Sequence, residues 1–324
     1  MVRLSVTEAT ATAEHALVRI GFSAEESRII VAHLMDAALC GYTFAGLPRI
    51  LTIAEDPRTK QKRTPVTIIK ETPVSALVDG GNYVGYYAIH RAAEIAIEKA
   101  RESRLALVGV HNCHLSGRNA YYLEMIARAG FVGLHMASAP PIVVPMGGTR
   151  PALGTNPIAF AVPRDPNPFI FDMGTAAMMR GEVILRSRTG EKLPDDVAIN
   201  DHGHPTTDPV AALLGGILPF GGHKGYGLSC MIQAICLLAG TEIPRGRVQD
   251  YGFLFVIFDP ELLMPLKQFK EQLETLLGTI KGTPCQPGVS EIRISSERAF
   301  RERDKRRKEG IVLEQIVYDA IKAL

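Results

Sequence analysis

Gly147-Gly-Thr-Arg-Pro-Ala-Leu-Gly-Thr-Asn-Pro157 holds three glycines and two prolines in eleven residues and runs directly into the apolar segment Ile158-Ala-Phe-Ala-Val162. Such a stretch neither continues a helix nor sits inside a strand, so it reads as a tightly specified loop feeding a buried strand. A second run of this kind, Gly221-Gly-His-Lys-Gly-Tyr-Gly227, precedes an apolar helix candidate at 228–239. Its backbone amides, Lys224 and a helix N-terminus offer a cradle for phosphate. The two loops are expected to form one cofactor site.

On either side of the first loop, strand and helix patterns interleave. Residues 105–110 form a continuous apolar run expected of a strand buried on both faces. Residues 120–128 are helical in spacing, Gly130 ends that helix and 132–136 extend again. Further upstream, 86–103 carry the helical period with paired charges, and 66–69 and 74–78 read as short strands. The second of these closes on the turn signal Asp79-Gly-Gly-Asn82. Segment 57–65 is basic and polar, a surface linker. The opening sixty or so residues are helical: apolar spacing over 7–20 stops at Gly21, and Ser23 with Glu26 makes a capping box for a helix to about Cys40. Downstream, 158–162 and 169–171 read as strands, and a helix follows Thr175. Residues 205–209 are a stiff turn, 253–258 a strand and 261–277 an amphipathic helix. The charge run 298–308 is a solvated helix face, and a closing helix starts at about Ile311. Neither GxGxxG after a first strand nor GxxxxGK[ST] occurs, so a standard Rossmann or P-loop reading has no support.

The 36 basic and 34 acidic side chains nearly cancel, to a formal +2, and nothing in that balance calls for nucleic acid or an anionic membrane. The five cysteines, Cys40, Cys113, Cys230, Cys236 and Cys285, show neither a CxxC pair nor metal-ligand spacing, and the N-terminus lacks a signal-sequence pattern. A reducing, cytoplasmic protein with free thiols and no metal is expected. No apolar run approaches the roughly 20 residues of a membrane helix. At 324 residues two subdomains are expected. One is helical, 1–65, joined by helices from 222–250 and 261–324; the other contains the sheet, 66–221 and 251–260.

His114, in Asn112-Cys-His-Leu-Ser-Gly117, follows a strand and precedes a helix, where a side chain projects from a rigid edge and can exchange a proton near neutral pH. A structural histidine is the alternative. Arg49 and Arg180 are candidate carboxylate clamps, because a guanidinium matches two oxygens; each is otherwise a surface arginine. Lys224 supplies a point charge for pyrophosphate, or is a solvent lysine in a glycine-rich turn, and His223 could equally cap the following helix. Asp172 caps the next helix or holds a ribose hydroxyl. Arg186 and Arg188 could receive a 2′-phosphate or be solvated.

These motifs stand in an order that resembles the malate/L-lactate dehydrogenase family unrelated to the Rossmann malate enzymes. That family includes L-sulfolactate and ureidoglycolate dehydrogenases, diketogulonate reductase and cyclic ketimine reductases. The resemblance runs nearly end to end, through Val78-Asp-Gly-Gly-Asn-Tyr-Val-Gly85, Asn112 to Gly117, Gly154-Thr-Asn-Pro-Ile-Ala-Phe160, Phe171-Asp-Met-Gly-Thr175, Arg180-Gly181 and Gly222-His-Lys-Gly-Tyr-Gly227. It implies an α+β fold with a large, mostly antiparallel sheet and a helical subdomain. It also implies a homodimer, and hydride transfer between NADH or NADPH and C2 of a small 2-oxo acid or cyclic imine carboxylate. By the same resemblance, His114, Leu115, Ser116, Gly117 and Arg118 would contact the cofactor, with Asp172, Met173, Gly174, His223, Lys224, Arg293, Ser295 and Arg298. Arg49, Arg180 and Thr155 would contact the substrate.

One departure stands out. Many members carry Asp-Ser-His-Gly where this chain reads Thr43-Phe-Ala-Gly46, and in the ketimine reductases that Ser and His, with an Asp after the second arginine, relay a proton. Here the three positions are Phe44, Ala45 and Glu182. Neither Phe nor Ala donates a proton, so His114 is the expected acid. A preprotonated imine, or a non-catalytic dinucleotide-binding homologue, are the alternatives.

Overall fold

The computed structural model describes residues 1–241 and 251–324. The chain opens with strand β1 (Val2–Leu4) and helices α1 (Val6–Ile20), α2 (Ala24–Leu39) and α3 (Arg49–Glu55). A hairpin, β2 (Thr67–Thr72) and β3 (Ser75–Val84), leads into α4 (Gly85–Ser103), β4 (Leu105–His114), α5 (Asn119–Arg128) and β5 (Val132–Ser138). After the glycine-proline loop come β6 (Ile158–Val162), β7 (Phe169–Met173), α6 (Arg180–Thr189), β8 (Ala198–Ile199), α7 (Pro209–Leu214), β9 (Gly216–Ile217) and α8 (His223–Cys236). The remainder is β10 (Gly252–Phe258), α9 (Leu266–Lys281), α10 (Glu297–Glu309), β11 (Ile311–Leu313) and α11 (Gln315–Ala323).

The fold is α+β. Its seven-stranded sheet has the order β2-β3-β4-β10-β5-β6-β7. Only β3 and β4 run parallel, joined by the crossover helix α4; every other neighbour is antiparallel. Helices α4 and α5 cover one face, where Ile89, Ala92 and Ala96 meet Val108 and Val110, and Leu123 and Ile126 lie in the same core. Each such fully buried Ile, Val or Leu contributes about 1.5–3 kcal/mol. On the opposite face α8 packs on Met136 and Leu254, and α9 packs beside Val162 and Phe169. Between them a cross-strand row, Leu107-Val256-Leu134-Phe160-Phe171, stays on the surface, with Leu107, Phe160 and Phe171 at 42%, 40% and 42% exposure. The 105–110 strand is therefore covered fully on one face only, against the expectation of burial on both.

A second core joins α1, α2 and α3 to α11 and to the small antiparallel sheet of β1 and β11. Both Ser5 with Glu8 and Ser23 with Glu26 form the reciprocal capping box that starts α1 and α2. The helical core and the core on the sheet are separate clusters among the described residues. Helices α8 and α9 pack on the sheet rather than joining the helical unit, because their apolar faces match its open rows; only α10, β11 and α11 return to the helices. Part of the expected 222–250 helix also falls on residues 242–250, outside the described residues. Residues 311–313 are a strand rather than the start of the closing helix, since β1 offers them an edge. The Asp79 to Asn82 turn signal is absorbed as an irregularity inside β3, where the register to β4 slips between Asp79 and Tyr83. Gly81 (φ 62°) and Asn82 (φ 58°) take the left-handed conformation there. A Cβ on Gly81 would overlap the Thr64 carbonyl, which is why glycine stands at that position.

Candidate active site

Strand β4 ends at His114, and the chain reverses through left-handed Leu115 (φ 64°) and Gly117 (φ 73°) before α5 begins at Asn119. Gly117 is packed so closely that an added Cβ would overlap His33 Nε2 and lie 2.5 Å from Tyr86 Cε1. His33 is fully buried among Tyr86, Tyr121 and Tyr122, and its Nε2 accepts the Arg118 amide at 2.8 Å. Burial, followed by the Arg118 charge, holds His33 well below its ordinary value and hence neutral. The sequence reading missed this histidine; a lone His inside the apolar run Ile30-Val-Ala-His-Leu34 was its only signal.

This turn meets the 154–157 loop, the end of β7 and the start of α10 around two joined cavities. The first, of about 300 Å³, is lined by Gly117 to Ala120, Asp172 to Gly174, Ser295, Ser296 and Phe44. The second, of about 110 Å³, is lined by Arg49, Thr155, Arg180, Leu115, Ser116 and Tyr251 among others. Phe44, Ala45, Gly117, Pro157 and Met179 line both. The structure thus brings Arg49, Arg180 and Thr155 into the lining of one cavity, next to a crevice formed by Gly117, Arg118, Asp172, Met173, Gly174 and Ser295. Arg49 Nε donates to the buried Tyr86 hydroxyl at 3.3 Å, and Gly181 leaves room for the Arg49 guanidinium and the Phe44 ring, 3.0 and 3.2 Å from where its Cβ would be.

Several expected residues have other employment. His114 is 1% exposed, with its Nε2 3.4 Å from Thr59 Oγ1, and it lines neither cavity. Still paired to Val84 in the sheet, it is buried outside the lining of both cavities, so its expected projection into the crevice is not met. The Arg118 guanidinium is ion-paired to Asp36. Asp172 accepts the Ala120 amide at 2.8 Å and so caps α5, which precedes it, rather than the helix that follows; burial pushes its carboxyl up. Arg186 pairs with Glu182 one turn away on α6 at 3.1 Å, and Arg188 pairs across to Glu55 of α3 at 2.5 Å. Glu182 itself faces a third cavity, behind Phe44.

The second glycine run also differs from expectation. α8 begins at His223 rather than at 228, capped by Gly222. Gly225 is required because its Cβ would overlap the Phe220 carbonyl, a contact within the chain. His223 and Lys224 are exposed and line neither cavity. The two loops are joined instead through buried Asn156, whose Nδ2 donates to Ser229 O (3.0 Å), Ser229 Oγ (3.1 Å) and Gln233 Oε1 (3.0 Å) of α8. Arg293 is exposed away from the lining, and Arg298 stacks over the Tyr42 ring at 4.9 Å, at the rim of the first cavity.

One observation marks the first cavity as a place for a polar ligand. Asn119 is 1% exposed, lines it, and has both carboxamide atoms without a hydrogen-bond partner among the described residues. Buried amides are nearly always paired. With the glycine-lined turn, this fits a planar group that carries its own amide.

The sequence profile of the malate/L-lactate dehydrogenase family matches residues 4–322. The chain belongs to that family. The dehydrogenase of Methanothermus fervidus named for malate and (S)-sulfolactate is 34% identical over 319 residues, 94% of this chain and 92% of that one. The Δ1-pyrroline-2-carboxylate reductase of Ancylobacter novellus is 31% identical over 338 residues, covering 100% of this chain and 97% of its own. Among solved structures, the sulfolactate dehydrogenase of Methanocaldococcus jannaschii superposes with a TM-score of 0.84 at 31% identity, over 99% of this chain and 96% of the other. As a member of the malate/L-lactate dehydrogenase family the chain is an oxidoreductase of the dehydrogenase and reductase class. None of its described helices is long and apolar enough to cross a membrane.

Proposed function

We propose that this enzyme interconverts a small 2-oxo acid, or a cyclic ketimine carboxylate, with its reduced form, the 2-hydroxy or cyclic amino acid. It is an NAD- or NADP-dependent dehydrogenase or reductase by family. The observation that carries the substrate class is the pair Arg49 and Arg180 in the lining of one cavity with Thr155. Two guanidinium groups over a confined space bind and orient a carboxylate. The nicotinamide supplies the hydride when bound; Gly117 to Ala120, Asp172 to Gly174 and Ser295 would hold it, with Asn119 offering its carboxamide. His223, Lys224, Arg293 and Arg298 would serve the outer parts of the dinucleotide. Phe44, Ala45 and Met179 exclude water where the usual Ser-His relay is missing, so the pocket suits a substrate with a less polar side chain than malate.

The apolar row from Leu107 to Phe171 supports a homodimer, since large contiguous apolar surface marks an interface. The five free thiols support a reducing, cytoplasmic setting. Phe44 and Ala45 also favour a second reading, a dinucleotide-binding homologue without turnover.

Oxidation of NADPH and NADH by the purified protein with pyruvate, oxaloacetate, phenylpyruvate and the five- and six-membered cyclic imines separates the two. Turnover whose KM for the acid rises in Arg180→Met supports the enzyme reading. Cofactor binding without turnover supports the second.

A further inference from the structure

The cavity with the two arginines lacks the relay residues, and His114 is not part of its lining. Its described proton-bearing side chains, the arginines aside, are Thr52, Ser116, Ser138, Thr155 and Tyr251. An arginine does not deprotonate in a protein. Ser138 is committed to the backbone: its Oγ donates to Gly252 O at 3.4 Å and accepts Gly252 N at 3.2 Å. Ser116 Oγ donates to Gly117 O at 3.5 Å. The aliphatic hydroxyls of Ser116, Ser138, Thr52 and Thr155 are all far weaker acids than a phenol, and acidity decides the choice. That leaves Tyr251.

Its position is fixed by the sheet. Gly252, the next residue, opens the central strand β10 opposite Ser138, and a Cβ there would come 2.7 Å from Cys236 O, so the backbone beside Tyr251 is closely packed. The ring lies parallel to buried Phe253, with centroids 6.0 Å apart and planes at 6°. The charged groups facing the phenol are Arg180, Arg49 and Arg58, with Asp56 opposing them. Burial pushes the phenol up and the Arg180 and Arg49 charges pull it down, so it is protonated at neutral pH and its anion would be stabilised by the same guanidinium groups that bind the carboxylate.

We propose that Tyr251 is the proton donor of this chain, in place of the relay lost at Phe44 and Ala45. The assignment rests on the reductase reading. The nicotinamide, when bound, would supply hydride to C2, and the C2–O (or C2–N) π pair would move onto the heteroatom. The phenol O–H breaks, a new O–H or N–H forms on the product, and the tyrosinate takes a proton back from water. C2 is reduced and the nicotinamide oxidised. In the reverse direction the tyrosinate accepts that proton.

The test is Tyr251→Phe, which keeps the ring and its stack on Phe253. It is read by kcat and KM on the substrate panel, and by ultraviolet titration of tyrosinate in the cofactor-free protein with and without oxalate. The expected result is a kcat at least about a hundredfold lower, the low end for a general acid, with KM little changed. In the titration, one tyrosine of the wild type ionises at higher pH when oxalate occupies the arginines, and that tyrosine is missing in Tyr251→Phe. A variant with wild-type kcat overturns the proposal while leaving the reductase reading standing. A wild type that reduces nothing in the panel sinks the reductase reading instead. The oxalate titration then decides the tyrosine's place alone, and an identical response in wild type and variant overturns that too.

Discussion

Replacing Gly117 by alanine should damage stability and substrate binding together. Gly117 has φ 73°, and placing alanine in the left-handed region costs about 1–2 kcal/mol. The added methyl has nowhere to go: it overlaps His33 Nε2 and sits 2.5 Å from Tyr86 Cε1, both on side chains that are 0% exposed. Overpacking of that kind adds about 1–3 kcal/mol, for a total of about 2–5 kcal/mol. Gly130 is the control, since it has φ 95° and nothing within 4 Å of an added Cβ; Gly130→Ala should show the backbone part alone. Urea unfolding followed by circular dichroism measures both. The displaced Tyr86 is also the partner of Arg49, so Gly117→Ala should raise the KM for the 2-oxo acid and Gly130→Ala should not. Equal destabilisation by the two substitutions would refute the packing of His33 and Tyr86 against this turn.

Three further outcomes follow from the same coordinates. Phe44 separates the substrate cavity from the third cavity, lined by Leu185, Glu182 and Val317, so Phe44→Ala should shift the kcat/KM ratio of phenylpyruvate to pyruvate upward by about tenfold or more. Arg303→Met removes the cation shared by Asp36 at 2.8 Å and Glu124 at 2.5 Å, while Arg118 and Arg128 stay on those carboxylates; loss of the charged hydrogen bonds should cost about 1.5–3 kcal/mol, and a loss below about 1 kcal/mol in urea unfolding would place it with surface pairs. Burial pushes His135 down to about 3 from 6.5. The unfolded chain therefore takes up the proton first as pH falls, and the stability present above about pH 6.5 drops by about 2 kcal/mol by about pH 5. His135→Gln should flatten that slope, and an unchanged slope would assign it to other groups such as His33.

The architecture was legible because most elements carry their own signal. The capping box at Ser23 and the apolar runs at 132–136, 158–162 and 253–258 each announce one element, and the ordered motifs announce the fold. What escaped were features set by tertiary partners. Residues 311–313 extend because β1 lies beside them, and Asp79-Gly-Gly-Asn82 bulges rather than turns because β4 continues past it. In the site, Arg49, Arg180 and Thr155 line one cavity and the 172–174 segment lines its neighbour; the arginines were marked by their chemistry, Thr155, Met173 and Gly174 only by the family resemblance. The direction of the His114 side chain did not follow from its place after a strand, since alternation along β4 and the left-handed Leu115 decide it. Tyr251 and Asn119 had no local mark, and His33 only its place in an apolar run, because their significance lies in what stands opposite them.

The most direct measurement is a crystal structure of the protein with NADPH and oxalate. The oxalate should lie against both Arg49 and Arg180, with the nicotinamide between it and the turn at Gly117 and its amide within hydrogen-bond reach of Asn119. Oxalate bound away from the arginine pair, or a nicotinamide outside the crevice of Gly117, Asp172 and Gly174, would contradict the site described here.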